Sequence, residues 1–235
     1  MLRTAGFTLT ELMIGLTLGL LVIGGGYRFY QLNLNASQVA LAAARLDGEA
    51  RAALTLMAGD LRRAGFRAFD PTVQPAAASP FGPVGDLRLG QAPGEAADSC
   101  VLFSYDRNAD GLLGVGRSGQ GGPGRNRVNV EQFGFRLQGG ALEVRLAGAT
   151  HDCASGQWQD LTSTATRVTA LRFRVADQCL DPARPGQPCR SGQPALLRKQ
   201  LTIDLTAASR VPGGPTVRLS RRVRPRNDGF LAHAP

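Results

Sequence analysis

The feature that most constrains this chain is an apolar run of twenty residues close to its N-terminus. Residues 7–26 contain a single ionisable side chain, Glu11. In a helix, with a rise of about 1.5 Å per residue, such a run extends about 30 Å, which matches the hydrocarbon core of a bilayer. A secretory signal would have a shorter apolar stretch and a small-x-small cleavage site, whereas this one continues into an amphipathic pattern. We therefore predict that the segment spans a membrane and is retained.

Placing the charged Glu11 side chain in such a segment costs free energy. A carboxylate at the centre of a membrane helix costs about 2.5 kcal/mol or more, and less near the end of the span. One interpretation is that Glu11 reaches the membrane interface. The other is that it pairs with a positive group supplied by cleavage of the chain, because an ammonium and a carboxylate are better tolerated in lipid as a hydrogen-bonded pair.

The residues around Glu11 resemble a processing signal. Gly6 followed by FTLTELMIGL is similar to the N-terminus of type IV prepilins and of the related pseudopilins of type II secretion. The resemblance implies that a prepilin peptidase cuts between Gly6 and Phe7 and that Phe7 is then N-methylated. It also implies that Glu11 neutralises the terminal amine of a neighbouring subunit during assembly. The alternative is an ordinary single-pass anchor that matches the motif by chance.

After three consecutive glycines at residues 24–26, the apolar pattern becomes periodic. Small or apolar residues recur every three or four positions, as they do on one face of an amphipathic helix. These positions are Leu32, Ala36, Val39, Ala43, Leu46, Ala50, Ala53, Met57 and Leu61. Gly65, which follows two arginines, predicts the end of the helix. We expect one helix over residues 7–64, about 87 Å long, that melts or bends most easily at the glycines.

Beyond residue 93 the apolar pattern has a period of two, which is typical of strands. The predicted strands cover residues 100–105, 168–175, 197–205 and 217–223, with a hairpin over 133–146 and a short strand at 87–89. Antiparallel strands with one apolar face need a cover, and the amphipathic helix is the available one. We therefore predict an α+β, pilin-like fold in which a long N-terminal helix packs on a meandering antiparallel sheet.

This pattern divides the chain into five parts. We assign a leader peptide to residues 1–6, a transmembrane or filament-core helix to 7–26, an amphipathic helix to 27–65, a β-rich head to 66–224 and a loose tail to 225–235.

All four cysteines follow the membrane segment. An even number of cysteines in an exported domain indicates disulfides, and four cysteines permit three pairings. We prefer Cys179 with Cys189, because only nine residues of a turn-rich loop separate them, which leaves Cys100 with Cys153. The Cys179–Cys189 pair also resembles in placement the C-terminal disulfide loop of many pilins. The alternative is a four-cysteine zinc site, although the sequence has no close C-x-x-C pair.

One loop resembles a calcium-binding motif over half of its length. Oxygen ligands at positions one, three and five and a glycine at six are typical of a calcium loop. The matching residues are Asp106, Asn108, Asp110 and Gly111. Arg117 stands where the loop needs a bidentate glutamate, so a calcium site must borrow a distant carboxylate such as Glu131. The alternative is a turn stabilised by Asx side chains, without a metal. We predict no other cofactor.

Residues 196–235 carry eight basic and two acidic side chains, and so contribute +6 of the formal charge of +9. A basic surface of this kind can contact the phosphates of DNA or anionic lipid, with strong salt dependence. Phe230 is the only aromatic residue in the segment, which argues against stacking on single strands. We favour a solvated face or a docking surface for a neighbouring subunit, because most charge runs are soluble surface.

No pattern in the sequence predicts an enzyme. The chain has two histidines, His151 and His233, and no convincing set of paired acid and base groups. Gly114, Gly116 and Gly119 spell G-x-G-x-x-G, but the glycine-rich residues that follow cannot start the helix that a dinucleotide site requires.

Two further segments narrow the resemblance. Residues 54–66 and 224–227 are similar to those of the PilW group of minor pilins. This implies a low-copy subunit that primes or caps a type IV pilus, anchored in the bacterial inner membrane with its head in the periplasm. The implied partners are prepilin peptidase, other minor and major pilins, the inner-membrane assembly platform and inner-membrane lipid. The alternatives are a J-type minor pseudopilin of type II secretion and, in another class, a membrane-tethered DNA-binding module for uptake.

Overall fold

The first element of the fold is one continuous helix, α1, over Leu9–Leu61. The computed structural model describes residues 6, 8–68, 81–82, 84, 86–111, 113–114, 130–148, 150–184, 186–231 and 234. With 53 residues, α1 is about 80 Å long. The glycines at 24–26 lie within it, and the helix continues through them.

Only the C-terminal part of α1 packs against the rest of the protein. Its buried residues recur at intervals of three and four: Leu46, Ala50, Ala53, Leu54, Met57, Ala58 and Leu61. The earlier apolar positions of the predicted amphipathic face lie outside the core, since Leu32 is 68% and Val39 40% exposed. The head therefore covers about one third of the helix.

Two antiparallel sheets form the head. Sheet 1 contains β1 (Arg88–Gly90), β2 (Cys100–Ser104), β3 (Gln132–Gln138), β4 (Ala141–Ala147) and β5 (Gln157–Asp160), in that spatial order. Sheet 2 contains β6 (Thr166–Leu180), β7 (Ala195–Ser209) and β8 (Thr216–Val223) in order, with β9 (Gly229–Leu231) paired to β7.

The core lies between the end of α1 and the inner faces of both sheets. Alternation along each strand sends every second side chain into it. Fully buried members are Met57 and Leu61 from α1, Phe103 and Phe135 from sheet 1, and Phe173, Leu201 and Ile203 from sheet 2. The α+β, pilin-like fold predicted from the sequence is confirmed.

The prediction of a single meandering sheet is wrong. After β5 the chain crosses towards α1 before β6 begins, so β5 and β6 do not pair. Two backbone hydrogen bonds join the edge of β6 to sheet 1, from Val168 N–H to the carbonyl of Gly140 and from Phe173 N–H to the carbonyl of Asp98, both 2.8 Å long. Isolated bonds of this kind join two sheets at an edge without continuing the strand ladder.

The prediction of a loose tail from residue 225 is also wrong for the described residues. β9 adds to β7 with Leu197 opposite Gly229 and Ala195 opposite Leu231. Further along, Ala234 is buried and exchanges backbone hydrogen bonds with Gly192 and Gln193. Only three residues of this short strand pair, which is too few to give a periodic signal in the sequence.

Candidate processing and assembly site

The predicted cleavage point lies just before the start of α1. Gly6 is exposed and has no secondary structure, and a Cβ atom added to it would contact nothing within 4 Å. The described structure therefore gives no packing reason for a glycine at this position. Phe7, the predicted methylated residue, lies outside the described residues.

Thr8 and Glu11 form a capping box at the start of α1. Thr8 has extended backbone angles, and its hydroxyl oxygen accepts a hydrogen bond from Glu11 N–H at 3.3 Å. In return, Glu11 Oε2 accepts from Thr8 N–H at 2.9 Å and from the Thr8 hydroxyl at 2.8 Å. This reciprocal arrangement satisfies N–H groups that have no partner inside the helix. Glu11 is thus held in the first turn, at the positive end of the helix dipole.

The residues after Glu11 are apolar on all sides of the helix and are not covered by the head. Leu12, Met13, Ile14 and Val22 are between 59% and 75% exposed, although they point in different directions around the axis. Among the described residues α1 is the one helix that is long and apolar enough to cross a membrane. Exposure of such a surface in an aqueous setting is unfavourable, so it requires lipid or other apolar helices around it.

Glu49 ties the packed part of α1 to the crossing between the two sheets. Its carboxylate accepts hydrogen bonds from the Ser163 N–H, the Ser163 hydroxyl and the Thr166 hydroxyl. Arg221 on β8 donates to the Thr55 hydroxyl at 3.1 Å, one and a half turns further along the helix. The head is therefore fixed to α1 by polar contacts from sheet 2 and its entry loop, besides the apolar core.

The segment between β8 and β9 caps the C-terminal end of α1. Asn227 Nδ2 donates to the carbonyls of Arg63 and Ala64 at 3.3 and 3.1 Å, and Arg226 N–H donates to the carbonyl of Arg62 at 2.9 Å. Carbonyls at the end of a helix lack intrahelical partners, and these bonds supply partners to the turn that follows Leu61. The Arg63 carbonyl also accepts from Phe66 N–H at 2.8 Å. Residues 224–227, which carry part of the resemblance to the PilW group, thus have a structural role.

Both disulfides lie in the head. The structure joins Cys100 to Cys153 and Cys179 to Cys189, the pairing that we prefer from the sequence. The first connects β2 to the loop after β4, and the second closes the loop between β6 and β7. No described cysteine is free, which leaves no thiolates for the alternative zinc site.

A small second core covers the outer face of sheet 1 around the Cys100–Cys153 disulfide. Trp158 packs against it, and the Arg136 guanidinium lies 4.2 Å from the centre of the Trp158 ring. Arg136 also pairs with Glu143 at 2.5 Å and donates to the carbonyl of Cys153 at 2.7 Å. Trp158 is therefore a sheet-packing residue, as its position beside Leu161 suggests.

Two other basic groups nearby are desolvated. Burial lowers the pKa of Arg145, whose guanidinium donates to the carbonyls of Gln132 and Thr150 at 2.7 and 2.8 Å. Burial also lowers the pKa of His151, whose Nε2 lies 3.0 Å from the carbonyl oxygen of Phe133. These contacts fix the loop at Thr150 and His151 to sheet 1. His151 consequently serves packing here, and His233 lies outside the described residues.

The calcium-like loop brings three carboxylates together. Single oxygens of Asp106, Asp110 and Glu131 lie within 4.8 Å of one another, so Glu131 does approach the loop. Backbone N–H groups, however, already bind the buried carboxylates. Asp106 accepts from Ala68, Asp110 and Gly111, and Glu131 accepts from Arg107, Asn108 and Gly114.

The side chain of Asn108 also serves the turn itself. Its Oδ1 accepts from Asp110 N–H at 3.1 Å and its Nδ2 donates to Asp110 Oδ2 at 2.7 Å. These are the bonds of an Asx-stabilised turn. Calcium binding remains the alternative to this metal-free turn, and Asp106, Asn108, Asp110 and Glu131 are the residues that would hold the ion. Of the G-x-G-x-x-G segment, Gly116 and Gly119 lie outside the described residues, as does Arg117.

Thr8, Glu49 and Asn227 are not predicted from the sequence, although Thr8 caps the start of α1 and the other two fix the head to it. Thr8 and Glu11 have the T-x-x-E spacing of a capping box, so this signal is readable in the sequence. Glu49 and Asn227 give no such signal, because their partners Ser163 and Ala64 lie 114 and 163 positions away.

Two family models match the chain, one at the N-terminal end of α1 and one over the head. Residues 1–27 match the prokaryotic N-terminal methylation motif. Residues 39–225 match the family of prepilin peptidase-dependent protein B, and this range takes in the packed part of α1 and strands β1 to β8. No curated protein and no solved structure matches the chain.

Proposed function

The chain belongs to the family of prepilin peptidase-dependent protein B, and we propose that it is a minor pilin that helps to prime or cap a type IV pilus. Prepilin peptidase cuts after Gly6, Phe7 is N-methylated, and α1 remains in the inner membrane until assembly. The head lies in the periplasm before assembly and on the pilus afterwards. The protein acts as a structural subunit and performs no catalysis.

The observation that carries the proposal is the position of the helix start relative to the predicted cut. Every bond of the capping box joins Thr8 to Glu11, so all of them lie downstream of Gly6. Removal of residues 1–6 therefore leaves the first turn and its cap intact. A processed chain keeps the whole apolar helix, which is what a subunit drawn from a membrane into a filament requires.

The geometry of Glu11 supports its predicted role in assembly. Both hydrogen bonds from Thr8 end on Oε2, and among the described residues none is donated to Oε1. Oε1 is thus open to the terminal ammonium of a neighbouring subunit. Such a pair removes two unbalanced charges from an apolar environment, which stabilises adjacent helices against each other.

The partners follow from the same arrangement. The apolar part of α1 contacts lipid before assembly and the helices of other minor and major pilins afterwards. Prepilin peptidase and the inner-membrane assembly platform act on the same segment. The resemblance of residues 54–66 and 224–227 to the PilW group supports a type IV pilus over type II secretion.

Pilus counts in the native host test the proposal. A strain that lacks the protein should carry fewer surface pili by electron microscopy, and the wild-type chain should restore them. Glu11→Gln should be cut normally and fail to restore them. Asp47→Asn is the matched control, because it removes an exposed carboxylate from the same helix, where the ion pair with Arg51 is exposed and contributes little.

Two outcomes would contradict the proposal. If secretion of type II substrates falls and the number of pili is unchanged, the protein is the J-type pseudopilin. If Glu11→Gln restores pili as well as Asp47→Asn does, Glu11 has no role in assembly.

A further inference from the structure

Sheet 2 has two faces of different character. Odd-numbered residues of β7 such as Leu201, Ile203 and Leu205 point into the core towards α1 and are buried. Because side chains alternate along a strand, the even-numbered residues of β7 and their cross-strand partners form the opposite, outer face. No described element of the head covers this outer face.

Arginines from two strands converge on the outer face. Strand register places Arg174, Thr202 and Arg222 in one row across β6, β7 and β8. The next row along is Arg172, Asp204 and Ser220, and Thr206 with Arg218 follows it. Arg172 and Arg174 come from β6, outside the basic segment 196–235, and add to its charge only in the folded sheet.

Acidic groups only partly neutralise this face. Arg174 pairs with Asp204 at 2.6 Å and Arg172 approaches Asp98 at 3.7 Å, yet their side chains are 57% and 63% exposed. Among the described residues no carboxylate lies within 4.0 Å of the Arg218 or Arg222 guanidinium. The four arginines thus face solvent against two aspartates, Asp204 and Asp98, which leaves a net charge of +2 (four minus two).

The positive charge of the outer face continues towards β9. Arg198 and Arg224 share a single carboxylate, that of Asp228, at 3.2 Å each. This corner therefore adds a further positive charge to the outer face.

The composition of the outer face favours a nucleic acid over a protein partner. Protein interfaces have an apolar centre enriched in aromatic residues. Around the four arginines the apolar members are the alanines 170, 176 and 208, and the other positions are threonine, serine, glutamine and one aspartate. The larger apolar residues Leu180, Leu196 and Phe230 lie at the far end of the face, beside β9. Interfaces with DNA are polar, positively charged and hydrated. Threonine and serine hydroxyls between the arginines supply further donors for phosphate oxygens.

The distance between the membrane and the head argues against a lipid surface as the partner. The first buried residue of α1 is Leu46, twenty positions beyond Gly26 at the end of the apolar span. At the helical rise this is about 30 Å, which is several times the Debye length of about 8 Å at physiological salt. The head is therefore too far from the membrane that anchors it for its arginines to contact the phosphates there.

We propose that the outer face of sheet 2 binds the phosphate backbone of double-stranded DNA without regard to sequence. Arginine guanidinium groups bind phosphate through two parallel hydrogen bonds. Arg174 and Arg222 lie two strands apart, about 10 Å, and Arg218 and Arg222 lie about 13 Å apart along β8, so one duplex can reach all four arginines. A single strand would need several aromatic side chains for stacking, and the described part of this face has one, Phe230, at its β9 end.

Fluorescence anisotropy with a labelled 30-base-pair duplex (~10 nm long) tests the proposal, using the full chain in a zwitterionic detergent. Four phosphate contacts predict that the dissociation constant rises about 100-fold between ~50 and ~200 mM salt. The double substitution Arg174→Gln with Arg222→Gln should lower the slope of the log–log salt plot by about 2. Ser220→Glu, which keeps every arginine, should also weaken binding by placing a negative charge within the face.

The control is Arg51→Gln with Arg190→Gln, which removes the same charge from exposed positions outside the face and should leave the slope nearly unchanged. The proposal is overturned if the wild-type chain does not bind the duplex at the lower salt concentration. It is also overturned if the control weakens binding as much as Arg174→Gln with Arg222→Gln. Preferential binding of polyglutamate over the duplex would overturn it in favour of an acidic protein. Displacement of the duplex by the soluble lipid headgroup glycerophosphoglycerol, at equal phosphate concentration, would overturn it in favour of a lipid surface.

Discussion

The two ends of α1 belong to one helix, but the N-terminal end leaves its apolar side chains exposed and the C-terminal end buries them in the head. Up to about residue 30 large apolar residues point in every direction and are exposed, as in Leu21 at 72%. From Leu46 onward the apolar residues lie on one face and are buried, as in Leu61 at 0%. The backbone hydrogen bonds are the same at both ends, so the difference lies entirely in the pattern of side chains.

This contrast shows how one helix can be stable in two different environments. A helix that is apolar all round is stable in lipid or among other apolar helices, and a helix with a single apolar stripe is stable against a folded head. Because the head covers only the end of α1, the proposed transfer of the remainder from lipid to the helices of other subunits requires no change in the head. If the two regions are independent, a change in one of them should leave the stability of the other unaltered.

The largest expected effect is on the head alone, through its disulfides. Cys100→Ser with Cys153→Ser opens a loop of 53 residues and should lower the free energy of unfolding by about 4 kcal/mol in the chain-entropy treatment. Cys179→Ser with Cys189→Ser opens a loop of 10 residues and should cost about 3 kcal/mol. Urea unfolding of the full chain in detergent, followed by the fluorescence of Trp158, measures both. A larger loss from the shorter loop would contradict the account.

A matched pair of leucine truncations compares the two regions of α1 directly. Leu61→Ala removes a fully buried side chain and should lower the free energy of unfolding of the head by about 3 kcal/mol, through lost burial and a cavity. Leu21→Ala makes the same change at an exposed position and should leave the head unchanged. The same urea titration measures both variants. Equal effects would show that the two regions form one cooperative unit.

A second matched pair uses asparagine amides that bond to helix carbonyls. Asn227→Ala removes the cap on the Arg63 and Ala64 carbonyls and should cost the head about 1 kcal/mol. Asn33→Ala removes a bond of the same type, from Nδ2 to the Phe29 carbonyl, in the exposed region. Thermal unfolding followed by Trp158 should show a lower melting temperature for the first variant only. A shift for Asn33→Ala of the same size would break the distinction between the regions.

The smallest expected effect concerns the loop around Asp106. Its buried carboxylates are bound by backbone N–H groups, so we expect neither a chelator nor millimolar calcium to change the melting temperature of the head. Differential scanning calorimetry with and without calcium measures this. A rise of several degrees with calcium, abolished in Asp106→Asn, would establish the alternative calcium site.

Most of the fold is predictable because its signals are local. The change from continuous to periodic apolar residues marks the two regions of α1, and the alternation around Gly139 and Gly140 predicts the β3–β4 hairpin. β5 and β9 are too short to give a pattern. The separation of the two sheets depends on where the chain crosses α1 at Ser163, which no local pattern encodes.

In the candidate site, too, contacts between residues close in sequence are predictable and contacts between distant segments are not. Glu11 and its T-x-x-E spacing with Thr8 are visible in the sequence, because their partners are three residues apart. The bonds of Glu49 and Asn227 join distant segments and become visible only in the folded chain. The same holds for the outer face of sheet 2, where the arginines at 174 and 222 come together through strand register.

The central claim is that residues 1–6 are removed and the whole of α1 is kept. Intact and N-terminal peptide mass spectrometry on the protein from its native host tests it directly. We predict a chain that begins at methylated Phe7. A chain that still carries residues 1–6 while the peptidase is active would contradict the claim and leave an ordinary membrane anchor.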